Sequence, residues 1–334
     1  MNPLRLVQAV KNGQDDSEFV NYWHKILSAF YMGQIIFKNK NHSFLFFIAF
    51  TSMFSVQGQP DTLNRIDSAK VDSAAAAAKP HIYKMNYWTT GTFCVVATAA
   101  NIYAIPTIIH GKKNMPDEDV LALNKNHVNG FNRWALYLDP SKRESFYRAT
   151  DYILPLIVAA SGSTFIIDKK MRKDFFQIGM MYYEMHAITF SMYDFSPLGP
   201  AFRNRIRPFT YYDYFPLSER KAGNEKNSMY SGHVASAVAS TFFAVKVYCD
   251  YHPEIGGKKY LLYGIASNPP LIEGYLRVKA LAHFPTDVLI GFGVGSICGI
   301  LVPQLHKSKK QNVQLSLYSS PLGQQGLTVT WKLK

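Results

Sequence analysis

Apolar residues in this chain fall into blocks. From Tyr87 onward there are six long runs: Tyr87–Ile109, Tyr152–Ile167, Phe175–Tyr193, Gly232–Tyr248, Tyr260–Ile272 and Val288–Val302. Each is long enough for a helix, and clusters of Gly, Pro, Asn or charge separate them. No repeat period is visible. The pattern predicts an all-α fold, a helical bundle of about six core helices. Beyond the sixth run, "VQLSLYSS" and "GLTVTWKLK" alternate apolar and polar residues around "PLGQQ". That alternation predicts a small C-terminal β-hairpin.

Upstream, "KNKNHSFLFFIAFTSMFSVQGQ" sets Lys38 and Lys40 before an apolar stretch from Phe44 to Val56, with Gly58 after it. A basic flank, a short apolar centre and a small residue make the layout of a secretory signal peptide. "DSAKVDSAAAAAKPH", Asp67 to His81, has no apolar stripe and reads as a linker. The expected organisation is an N-terminal extension (1–42), a signal peptide or anchor (43–58) and a low-complexity linker (59–85). The helical domain (86–306) and the hairpin tail (307–334) follow.

Whether the bundle spans a membrane is left open by the sequence. Several runs have only 13 to 17 residues, and they carry Glu184, His186 and Lys246. Against this, the connections "DKKMRKD" and "GGKK" and the tail "HKSKK" concentrate cations on alternate connections, as the positive-inside rule requires. That topology puts 195–230 and 275–283 on the outer face, whereas a cleaved signal peptide inverts it. Both readings place the protein in the cell envelope, as a membrane or periplasmic protein. The net charge of +13 fits an anionic membrane surface or an anionic substrate. A nucleic-acid partner is not expected, because the cations are scattered in short loops with no basic-aromatic signature. Cys94, Cys249 and Cys298 lie far apart in apolar surroundings and read as buried thiols.

Three polar clusters interrupt this apolar pattern: "RNRIRPF" (203–209), "YSGH" (230–233) and "RVKALAHFPTD" (277–287). Ser231, Gly232 and His233 open a helix, whose first N–H groups lack partners and favour an anion. Pro285 suits the first position of another helix, with His283 just outside it and Asp287 in its first turn. Asp287 could then bond one imidazole nitrogen of His283 and leave the other as nucleophile or base. Arg277 offers a bidentate donor for an oxyanion. Two histidines, one acid, arginines and a helix N-terminus can hold a tetrahedral dianion and its transition state. No metal-ligand spacing is present, so neither a metal nor another cofactor is expected; a zinc hydrolase using Glu184, His186 and His233 has no spacing to support it.

The order Arg-Pro, Ser-Gly-His and Arg-x5-His-x3-Asp resembles the type-2 phosphatidic acid phosphatase and vanadium haloperoxidase superfamily, from Phe175 to Val302. The resemblance implies that His283 attacks phosphorus, Asp287 orients it and His233 protonates the leaving oxygen. It also implies that Arg207, Arg277, Ser231 and Gly232 bind the phosphoryl oxygens. Three positions depart from the family pattern. Pro200 stands where the family has a lysine, out of register with Arg203 and Arg205, either of which could substitute for it as a phosphate ligand. Tyr230 replaces a proline and Leu276 a serine.

The function expected is a metal-independent phosphatase that hydrolyses a lipid or isoprenoid phosphate monoester or diphosphate through a phosphohistidine. The alternatives are a non-catalytic phosphate-group binder and, third, a vanadate-dependent haloperoxidase.

Overall fold

The computed structural model describes residues 81–308 and the backbone of 313–319 and 325–331. The expected extension, signal peptide and most of the linker lie outside the described residues. Seven principal helices build the body: α1 (Tyr87–His110), α2 (Arg143–Ile167), α3 (Phe175–Phe195), α4 (Gly232–Tyr251), α5 (Lys259–Ala266), α6 (Asn268–Lys279) and α7 (Pro285–His306). The expected helical bundle is therefore present.

The central element is α4. Every residue from Val234 to Ala244 is buried, which its small Ala, Ser and Val side chains permit on all sides. One face meets α7 at close range. Gly291, Gly295 and Gly299 of α7 lie over Ser231, Ala235 and Ala239 of α4, so a four-residue spacing on one helix matches the same spacing on the other. A Cβ on Gly295 would stand 2.3 Å from the Ala235 carbonyl oxygen. Small residues at this spacing let two backbones approach closely without a large apolar driving force. The contact fixes the first turn of α4 beside that of α7.

Three helical segments are long and apolar enough to cross a membrane: Tyr87–His110, Pro140–Ile167 and Pro285–His306. They expose large apolar side chains, among them Trp88, Val95, Tyr152, Leu156, Ile297 and Leu305. Burial against protein does not account for that outward surface, which suits contact with hydrocarbon.

The fifth apolar run is not one helix. It divides at Ser267 into α5 and α6, because Pro269 and Pro270 have no N–H to give the carbonyls one turn back. The Asn268 side chain supplies part of the loss, donating to the Gly264 and Ile265 oxygens at 3.1 and 3.0 Å.

The predicted hairpin is not supported as part of the fold. Val313–Ser319 and Gln325–Trp331 run antiparallel, but the turn between them and their side chains lie outside the described residues.

At the end of the bundle opposite the first turns of α4 and α7, the basic connections gather. Lys170 pairs with Glu254 at 2.8 Å, His252 with Asp168 at 3.0 Å, and Lys246 and Lys307 with Asp250. Residues 82–84, within the expected linker, are docked here. Tyr83 is 1% exposed, bridges Lys307 and donates to Asp250 at 2.8 Å. Cys94 and Cys298 are buried free thiols, as their apolar surroundings suggest, and Cys249 is a partly buried one.

Candidate active site

The three sequence clusters meet at the head of α4 and α7. The first is tied down by a short backbone ladder that includes one parallel bridge, Arg205 to Asn227. Arg205 N–H donates to the Lys226 carbonyl at 2.9 Å, Ser228 N–H to that of Arg205 at 2.9 Å and Arg207 N–H to that of Glu225 at 2.8 Å. Lys112 clamps both strands of this ladder through the Arg203 and Lys226 carbonyls. The ladder brings the "RIRP" loop alongside Ser228, three residues before Ser231.

Ser231 is the N-cap of α4 and fully buried. Its hydroxyl accepts from Val234 N–H at 3.5 Å, a weak cap, and its own N–H donates to the Asp287 carbonyl at 3.1 Å. Gly232 has the Tyr193 ring 3.2 Å from where a Cβ would lie, so a larger residue would press on that ring. His233, one residue on, keeps 31% of its side chain exposed and sets Nε2 3.4 Å from an Asp151 carboxylate oxygen on α2.

The third cluster turns sharply between α6 and α7. Leu281, at φ 53, is a non-glycine in the left-handed region, a conformation with a modest steric cost. Its buried side chain packs in the core beside Phe209 and Phe284. The reversal places Arg277 and His283, both nearly fully buried, on either side of the turn.

The structure changes the role expected of Asp287. His283 Nδ1 bonds the Ser228 carbonyl oxygen at 2.6 Å, so Nδ1 carries the hydrogen and Nε2 keeps its lone pair. Asp287 Oδ2 accepts instead from the Ser228 hydroxyl at 2.7 Å and from Phe284 N–H at 2.9 Å. The second bond satisfies an orphan donor at the start of α7. Asp287 thus supports His283 through Ser228.

Arg205, expected as a phosphate ligand, also meets Asp287. It pairs with Asp287 Oδ1 at 2.8 Å, donates to Thr286 Oγ1 at 2.7 Å and lies over Phe284. Its geometry fits holding the Asp287 carboxylate. Arg203 is exposed and donates to the Pro197 carbonyl. Each of the two residues already donates to a protein acceptor in this arrangement.

Arg207 and Arg277 remain. They are 8% and 2% exposed, and the Nε of each is buried with no hydrogen-bond partner. Arg277 is aimed by Thr150, which accepts from Nη1 at 3.1 Å, and by the Tyr147 ring, 4.8 Å away. Asp151, Thr150 and Tyr147 all come from α2, on which the sequence shows no motif.

This crowding of cations acts on both imidazoles. Burial, then Arg277 and Arg207, hold His283 well below the usual imidazole range, with a further contribution from His233. Burial and Arg277 depress His233 to about 4, with Asp151 opposing them. Both rings are therefore neutral near pH 7 while the site is empty. The two histidines are close enough to share one field.

The zinc alternative does not assemble. Glu184 pairs with His306 at 2.7 Å, His186 faces Ser240, and His233 faces Asp151. Among the described residues, no group of three His, Cys, Asp or Glu is placed to hold a metal ion.

Comparison with known proteins agrees with the motif reading. No curated protein gives a match. Among solved structures, the chain matches the transmembrane PAP2 type phosphatidylglycerolphosphate phosphatase from Bacillus subtilis at 21% identity. That match has a TM-score of 0.35 and covers 66% of this chain and 96% of the other. Residues 186–311, which hold the three motif clusters but not the α2 residues of the site, match the PAP2 superfamily, the family the motifs indicate.

Proposed function

We propose that the protein is a metal-independent phosphatase of a lipid or isoprenoid phosphate monoester or diphosphate, working through a phosphohistidine. The observation that carries this reading is the pair of buried guanidinium groups with unpartnered Nε–H, set beside two neutral imidazoles. Such donors suit the equatorial oxygens of a transferring phosphoryl group.

The steps follow from the hydrogen bonds. His283 Nε2 attacks phosphorus as the ester P–O bond breaks, and the Ser228 carbonyl stabilises the resulting cationic ring through Nδ1–H. The leaving oxygen takes a proton from His233, which has gained it as the dianion offsets the Arg277 and Arg207 fields. Water then attacks phosphorus and gives a proton to His233, while the P–N bond breaks and returns its electron pair to His283 Nε2. Phosphate departs and His283 returns to its neutral state. Asp151 steadies the charged form of His233.

The apolar outer faces of α1, α2 and α7 would seat this site in a membrane, within reach of an amphiphilic substrate. The basic connections lie at the end away from the site. By the positive-inside rule they would face the cytoplasm, leaving the site on the opposite side.

The test is phosphate release by the full chain in detergent, with EDTA present, from phosphatidic acid, phosphatidylglycerolphosphate, undecaprenyl diphosphate and a soluble monoester. Release from a lipid substrate that His283→Ala abolishes is expected. Phosphate binding with no turnover on any substrate would favour the non-catalytic reading. Bromide oxidation by peroxide after vanadate loading would favour the haloperoxidase.

A further inference from the structure

We infer that Arg143, at the start of α2, is a third guanidinium of the phosphate pocket, an assignment that rests on the reading of this site as a phosphate site. Two residues of the site each bracket Arg143 with one of the assigned arginines. The Tyr147 ring lies 4.8 Å from the Arg277 guanidinium carbon and 5.6 Å from that of Arg143. Glu225 lies in the field of both Arg207 and Arg143, and its backbone carbonyl holds Arg207 N–H at 2.8 Å.

The way Arg143 is held points to an absent acceptor. Its guanidinium sits 4.1 Å from the Phe209 ring centroid and 5.7 Å from that of Phe215. Aromatic rings engage the face of a guanidinium and leave its in-plane N–H edge to donate. That edge is unused at Nε, which is buried without a partner, as in Arg207 and Arg277. Glu225 does not fill the role, because its buried Oε2 also has no partner and burial raises its carboxyl towards the neutral form. A buried ionic donor left unpaired is costly, and a shared anion would satisfy all three.

The position also answers a gap in the first motif. Arg203 and Arg205 already donate to protein acceptors, and Pro200 carries no charge. A cation delivered from α2 would restore a third donor to the oxyanion.

The experiment compares Arg143→Gln and Arg143→Lys in the full chain in detergent. Dissociation constants for inorganic phosphate and vanadate are measured by calorimetry, beside turnover of a lipid phosphate. Arg148→Gln is the control, since Arg148 is an exposed residue of the same helix, paired with Glu144 at 3.2 Å.

Loss of a charge-assisted bond predicts binding weaker by about tenfold or more in Arg143→Gln. Arg143→Lys, which keeps the charge and so guards against loss of the fold, is expected to fall between the two. Arg148→Gln is expected to match the unmodified protein. Binding within about twofold of normal in both Arg143 variants would overturn the assignment, as would equal weakening by Arg148→Gln. Arg143-dependent phosphate binding without turnover of any ester would leave this assignment standing and remove the phosphatase reading. A chain that binds neither phosphate nor vanadate removes both.

Discussion

His283 donates from Nδ1 to the main-chain carbonyl of Ser228 at 2.6 Å, and no carboxylate touches the ring at that nitrogen. A carbonyl fixes the tautomer as a carboxylate would, while placing less negative charge beside the ring. Asp287 enters one step back, holding the Ser228 hydroxyl and pinned in turn by Arg205. Ser228→Ala removes the hydroxyl and leaves the carbonyl. Its expected effect is a fall in kcat of roughly tenfold, in line with one lost hydrogen bond. Asp287→Asn should lower kcat further, because it also weakens the Arg205 pair and the cap of α7. His283→Ala should abolish turnover, and steady-state kinetics with circular dichroism as a check on folding would order the three.

His233 faces Asp151 at 3.4 Å, and on the proposed mechanism this pair from α4 and α2 supplies the acid. Protonation of the leaving oxygen matters less when that oxygen is already a good leaving group. His233→Ala is therefore expected to lose about a hundredfold or more on an alkyl phosphate and much less on p-nitrophenyl phosphate. Asp151→Asn should show the same leaving-group dependence at a smaller amplitude, with KM little changed. Equal losses on both substrates would remove the acid role.

The depressed imidazoles predict a coupling between anion and proton. His233 lies near about 4 in the empty site, so it is neutral at pH 6. A bound dianion offsets the guanidinium field, raises the affinity of the ring for a proton and draws one from solvent. Sulfate remains a dianion throughout this range, and calorimetry in buffers of different ionisation enthalpy should therefore show proton uptake on binding. By linkage, sulfate should bind more tightly as pH falls from 7 towards 5. His233→Asn should reduce the uptake.

Packing offers a prediction far from any reacting atom. Gly295→Ala would push a methyl to 2.3 Å from the Ala235 carbonyl oxygen, which backbone cannot yield without parting α7 from α4. Overpacking of this kind costs about 1–3 kcal/mol. It should lower the midpoint of thermal unfolding and, because α4 carries His233 while His283 directly precedes α7, reduce turnover as well. Gly293→Ala, where the same construction meets nothing within 4 Å, should do neither.

The bundle was legible because its helices are written as apolar blocks, and the site because Ser231-Gly232-His233 and His283-x3-Asp287 are dense local motifs. The division of the fifth run was missed: its apolar period read as one helix, although "SNPP" removes two consecutive donors. The part of the site contributed by α2 was not legible. Tyr147, Thr150 and Asp151 reach His233 and Arg277 only through the packing of helices distant in sequence. The spacing His-x3-Asp brings Asp287 near His283. It does not show that the carbonyl of Ser228, dozens of residues earlier, takes the nearer place.

The central claim is that phosphorus is transferred to His283. Brief reaction of the full chain with a radiolabelled lipid phosphate, followed by an alkaline quench and peptide mapping, tests it directly, since a phosphoramidate survives alkali and not acid. An alkali-stable, acid-labile label on the peptide containing His283, absent from His283→Ala, is the predicted result. Turnover with no label on that histidine, or with the label on Ser231, would contradict the account.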